Sequence, residues 1–256
     1  MATTGSVHRR LCGAAALMLA LAVATAAAAG ELAYIPPGAV TLERYLPPPP
    51  SPGSEEARRD LQAVLELQHG RTASEVAEAQ ADQEVSVFRF ADVMGPEFTA
   101  RRLPLTAVLA RRACRESGAL TAAAKRHWDR PRPFVASEAV EPVLRRPANA
   151  SYPSGHSACG YLWAILLGEM LPEQRSIVLR RGMRYGMNRV VGGVHYPSDV
   201  EAGRIAAVAV ATALFASEAF RNDFHAARAE LHATLPGTAA PRAEPAPAGA
   251  SAPPPH

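Results

Sequence analysis

Two histidines, an aspartate and three basic side chains stand in this sequence at spacings that suit acid–base and nucleophilic chemistry on an anion. The first group is Ser151-Tyr152-Pro153-Ser154-Gly155-His156-Ser157. Pro153 holds its neighbour extended. Ser154 is a favoured helix cap, and Gly155 lets backbone come close to a ligand. Residues 158–167 are apolar on every side, which predicts a buried helix. Its tip would present free N–H groups, a hydroxyl and an imidazole together, which suits an anion. The plainer reading is a loop that merely caps a core helix. Upstream lies Lys125-Arg126-His127-Trp128-Asp129-Arg130-Pro131-Arg132-Pro133. Its prolines end a helix and bracket Arg132 in extended backbone, although a basic run by itself also reads as a solvated face. Downstream, 188–199 carries Arg189, Gly192, Gly193, His195 and Asp199. Asp199 can accept a hydrogen bond from one nitrogen of His195 and leave the other free as a nucleophile. A lone histidine before a proline turn also serves structure.

The elements that must position these residues read as helices. Ser54 can cap a helix over 54–69, with Leu61, Val64, Leu65 and Leu67 on its apolar side. Another pattern starts at Thr72 or Ser74 and runs to Gly95. Residues 98–128 are helical with breaks expected at Pro104 and Gly118. Helices follow over 157–170, from Pro172, over 198–215 and over 218–235. Ser198-Asp199-Val200-Glu201 matches a capping box. No alternating strand pattern and no internal repeat is present, so the class is all-α.

The chain has 256 residues, 48% of them hydrophobic, enough for one sizeable core with tails. A net charge of +3 with no basic stripe argues against nucleic acid. Arg9 and Arg10 precede an Ala/Leu-rich run that ends in small residues, the pattern of a secretory signal over 1–29. An uncleaved membrane anchor is the alternative. A folded domain is expected over 30–235 and a disordered Pro/Ala-rich tail over 236–256. With the signal gone the charge is +1, and no remaining run reaches the ~20 residues a span needs. Cys114 and Cys159 remain. An exported pair could bond, but both lie in apolar helical patterns that suit buried thiols, and unpaired thiols are the expectation.

Lys125-x6-Arg132-Pro133, then Pro153-Ser154-Gly155-His156, then Arg189-x5-His195-x3-Asp199, in that order, resembles the signature of the PAP2-type phosphatase and vanadium haloperoxidase superfamily. Within it the chain looks like the bacterial class A non-specific acid phosphatases, which share an early segment like Tyr45-Leu46-Pro47-Pro48-Pro49-Pro50. One departure is Asn188, where that family usually has serine. The resemblance implies a single helical-bundle domain with a buried central helix after the Pro-Ser-Gly-His motif. It implies an exported, periplasmic acid phosphatase acting on small phosphomonoesters such as nucleotides, sugar phosphates and aryl phosphates. Lys125, Arg132 and Arg189 would hold phosphate oxygens together with Ser154 and the backbone of Gly155. His195 would be the nucleophile, Asp199 its orienting partner and His156 the general acid and base. No metal or other cofactor is implied, because the cations take a metal's place, and relatives suggest dimers or larger assemblies. The rival readings are a vanadium-dependent haloperoxidase, a membrane-associated lipid or pyrophosphate phosphatase, and a non-catalytic anion binder. The other histidines, His69, His127, His225, His232 and His256, carry no expected role.

Overall fold

Apolar residues at helical spacing, with caps where the sequence places them, dictate the architecture. The computed structural model describes residues 34–235, so the expected signal and tail lie outside the described residues. Among the described residues there are helices, turns and extended connections but no strand, in agreement with the all-α class. The longer helices are α1 Glu55–Gly70, α2 Ala73–Ala81, α3 Pro104–Trp128, α4 Gly155–Met170, α5 Arg175–Val191, α6 Pro197–Ala216 and α7 Glu218–Thr234. Ser54 caps α1 by accepting the Ala57 N–H at 3.1 Å. Thr72 and Glu75 close a reciprocal capping box on α2.

The central helix is α4, which packs against α3, α5 and α6. Leu162, Trp163, Ala164, Leu166 and Leu167 are all buried. Each large side chain of this kind stabilises the fold by roughly 1.5–3 kcal/mol. Trp163 also satisfies its Nε1–H on the Ala110 carbonyl of α3 at 2.9 Å. Gly203 lets α6 lie against the tip of α4: a Cβ there would stand 2.5 Å from the Ser154 carbonyl oxygen. The early proline run is pinned beside the same tip, where Tyr152 Oη donates to the Pro47 carbonyl at 2.5 Å. No single helix among the described residues is long and apolar enough to cross a membrane.

Four local expectations need correction. Gly118 does not break α3; a helical glycine costs only about 1 kcal/mol, and Cys114, Ser117, Thr121 and Ala124 bury that side of the helix. The 72–95 pattern does break, after Ala81. There Asp82 turns fully inward to meet Arg181, and the chain resumes as the short helices Val87–Phe90 and Ala91–Met94. α6 begins at Pro197, not under a Ser198 cap, because proline suits the first helical position and Asp199 reaches back to the Tyr196 N–H at 2.9 Å. Finally, Cys114 and Cys159 form a disulfide, not free thiols. α3 and α4 run side by side and bring their Cα atoms to 5.0 Å, within bonding range.

Candidate active site

The end of α3, the loop after it, the tip of α4 and the α5–α6 turn surround a cavity of about 520 Å³. Lys125, Arg132, Gly155, His156, Arg189 and His195 all line it. Ser154 and Asp199 stand behind this wall, fully buried. Ser154 caps α4, its Oγ accepting the Ser157 N–H at 3.3 Å, and its own N–H donates to the Asp199 carbonyl at 2.9 Å.

Gly193 takes a φ of +74°, a conformation that costs glycine nothing, and turns the chain out of α5 into His195. His195 Nδ1 lies 3.1 Å from Asp199 Oδ2, and Nε2 lies 3.2 Å from Nη1 of Arg132. A guanidinium can only donate. Nε2 is therefore the acceptor, and Nδ1 carries the hydrogen given to Asp199. Burial pushes His195 well below the usual histidine range, against the pull of Asp199, so the ring is neutral. Asp199 is itself surrounded by donors: Arg130 Nη1 on Oδ1 at 2.7 Å, and Ser151 Oγ at 2.5 Å and the Tyr196 N–H at 2.9 Å on Oδ2. Burial would raise its pKa, but the hydrogen bond from His195, Arg130 and Ser151 outweigh that and hold it at about 2.

The three cations of the wall have no such company. Lys125 Nζ donates to the carbonyls of Ala150 (2.6 Å) and Ser151 (2.8 Å). Arg132 donates to Asn149 O and Oδ1, both at 2.7 Å, and to Val194 O at 2.6 Å. Arg189 Nε and Nη1 are buried without a hydrogen-bond partner. Among the described residues none of the three is ion-paired with a carboxylate. Burial, then Arg132, pushes Lys125 down to about 7. Burial also lowers Arg132 and Arg189 to about 10. His156 stacks on Tyr185, ring centres 5.9 Å apart, and its Nε2 lies 3.3 Å from the Gln83 carbonyl oxygen. Burial, then Arg189, pushes His156 down to about 3.

Asn188 faces away from the cavity and donates to Asp82 Oδ2 at 2.8 Å, so the departure from serine does not reach the wall. His127 is exposed, edge-on to Trp128. Sequence reasoning missed Arg130, Ser151, Asn149 and Gln83. Arg130 sits in the same proline-bracketed run as Arg132. Nothing local shows which of the two meets carboxylates, because Asp60 and Asp199 are 70 and 69 residues away.

The sequence has relatives among known proteins, and the helical frame has a counterpart among solved structures. A match to the PAP2 superfamily covers residues 104–223. An acid phosphatase of Zymomonas mobilis is 35% identical over 197 residues, 73% of this chain and 74% of that protein. A non-specific acid phosphatase of Salmonella typhimurium is 33% identical over 227 residues, 84% of this chain and 90% of that one. The crystal structure of a bacterial vanadium-dependent iodoperoxidase shares the fold, with a TM-score of 0.55 at 16% identity over 75% of this chain and 61% of its own. With its motifs in order and relatives of this similarity over most of its length, the chain belongs to the PAP2 superfamily.

Proposed function

We propose that this protein is an exported acid phosphatase that hydrolyses a broad range of small phosphate monoesters through a phosphohistidine. The observation that carries the reading is the aim of His195. Its Nδ1–H is given to Asp199, and its Nε2, which accepts from Arg132, lies on the wall of a cavity lined by three buried cations without carboxylates. Similarity to enzymes named acid phosphatase supports the reaction class. The basic-then-apolar start of the sequence supports export to the periplasm.

Lys125, Arg132 and Arg189 hold the non-bridging oxygens, joined by the N–H groups at the tip of α4, which Ser154 orders as its cap. Nε2 of His195 attacks phosphorus, and the bond to the leaving oxygen breaks as His156 gives that oxygen a proton. Water then attacks the phosphohistidine. His156 takes the water's proton, the P–N bond breaks, and inorganic phosphate leaves with His195 restored. Positioning and charge stabilisation do most of the work, as phosphoryl transfer requires. Burial is the main cause that depresses His156, and Arg189 and Arg132 add to it; a phosphoryl dianion held by those two cations offsets their part.

The test is release of p-nitrophenol from p-nitrophenyl phosphate between about pH 4 and about pH 9 with EDTA present. The expected result is an acid optimum, resistance to EDTA and complete loss in His195→Ala. Absence of release at every pH overturns the reading.

A further inference from the structure

We propose that Arg130, backed by Asp60 and flanked by Ser151, is the positioning residue of the nucleophile, holding Asp199 so that His195 keeps its aim and stays unprotonated at Nε2. The inference rests on the phosphohistidine reading above.

Arg130 is 8% exposed and lies between two carboxylates from distant helices. Nη1 reaches Asp199 Oδ1 of α6 at 2.7 Å, and Nη2 reaches Asp60 Oδ2 of α1 at 2.8 Å. Its guanidinium carbon sits 3.9 Å above the centre of the Tyr196 ring. A pin between α1 and α6 alone would not need Asp199. Ser198 already joins them, its N–H donating to Asp60 Oδ1 at 3.2 Å and its Oγ bonding Asp60 Oδ2. Instead both oxygens of Asp199 are occupied: Oδ1 by Arg130, Oδ2 by Ser151, Tyr196 and His195. A carboxylate held on both sides cannot rotate, and the imidazole it orients cannot swing away from the cavity.

The second effect is charge. The charged groups facing the His195–Asp199 pair are Asp60 from α1, Lys125 from α3, Arg130 and Arg132 from the loop, and Arg189 of α5 further off beside Arg132. The hydroxyls of Tyr152 and Tyr196 are neutral neighbours. Lys125 and Arg132 face the substrate cavity, which leaves Arg130 as the counter-charge committed to Asp199 from behind. Without it, Asp199 would draw a proton onto Nε2 and occupy the lone pair that attacks phosphorus.

The experiment is the pH dependence of kcat/KM on p-nitrophenyl phosphate for wild type, Arg130→Met, Arg130→Lys, Asp60→Asn and Ser151→Ala, with folding checked by near-ultraviolet circular dichroism. The substrate's own titration is common to all five. Arg130→Met is expected to lower kcat about 100-fold, leave KM within about threefold and move the acid limb to higher pH. Arg130→Lys keeps the charge and restores the limb in part. Ser151→Ala removes one donor and moves the limb upward. Asp60→Asn removes the competing carboxylate charge from Arg130, leaves Asp199 as its one carboxylate and moves the limb downward, a reversal of sign that a purely structural pin would not produce. Acid limbs that stay in place in folded Arg130→Met and Asp60→Asn, or a loss confined to KM, overturn the proposal. Should Arg130→Met fail to fold, the opposed shifts of Asp60→Asn and Ser151→Ala decide it. An inactive wild type removes the phosphohistidine reading and this inference with it, whereas an active wild type with unmoved limbs removes this inference alone.

Discussion

Arg181 and Arg189 lie two turns apart on α5, both buried, and they are treated in opposite ways. Arg181 holds Asp82 through two bonds of 2.9 and 2.8 Å, with Asp92 and the Arg89 carbonyl each at 3.0 Å. Burial would lower its pKa, but Asp82 more than offsets this and raises it. Arg189 has no carboxylate, two unpartnered nitrogens and a pKa pushed down to about 10 by burial. Lys125 and Arg132 likewise lack a carboxylate and are lowered by burial, although their nitrogens donate to carbonyl and amide oxygens, while Arg130 resembles Arg181 in lying between two aspartates. A buried cation surrounded by carboxylates closes a structure. On the proposed reading, a buried cation left short of them is a place for an anion from outside, and burial without a counter-charge is what lowers its pKa.

Substitution can break this contrast. Arg181→Met should cost about 3 kcal/mol of stability, because buried Asp82 would keep only Arg89 and Asn188 against it; urea unfolding measures it, and phosphatase activity per folded molecule should change little. Arg189→Met should do the reverse. It is expected to cost about 100- to 1,000-fold in kcat/KM while the unfolding midpoint holds or rises, since no partner is orphaned. A fall in stability as large as that of Arg181→Met would erase the distinction. Gly203→Ala tests the frame between the two regions. A Cβ pressed against the Ser154 carbonyl should cost about 1–3 kcal/mol and lower activity by shifting the tip of α4, as paired melting and rate measurements would show. The smallest effect concerns Lys125. Sulfate keeps its charge through the neutral range, and Lys125 is charged below about pH 7. Sulfate should therefore raise the melting temperature more at pH 6 than at pH 8, and Lys125→Met should flatten that difference.

Most of the site was legible because its chemistry is local. The three motifs place cations and histidines beside helix ends and turns, and the all-apolar run after His156 announces the buried α4. What stayed hidden depends on partners far along the chain. Asp82 reads as one more polar helical residue until Arg181, 99 positions away, draws it inward. Asn188 looks like a departure at the site until its amide is found on Asp82. Cys114 and Cys159 sit in patterns that suit thiols equally well, and only the packing of α3 on α4 shows that they face each other. Arg130 and Ser151 are in view in the sequence, but their roles follow from Asp199, which arrives by tertiary contact.

The Cys114–Cys159 bond stands one turn along α4 from Gly155, on the wall of the cavity. Protons do not loosen it. Asp199 behaves similarly over much of the acid range: with its pKa at about 2 against an ordinary 3.8, its contribution to stability is complete above the ordinary value and is lost only as the pH falls through about 2. Between them, an oxidised bond and a carboxylate held by its donors keep their share of the scaffold around the histidines until the pH falls to about 2.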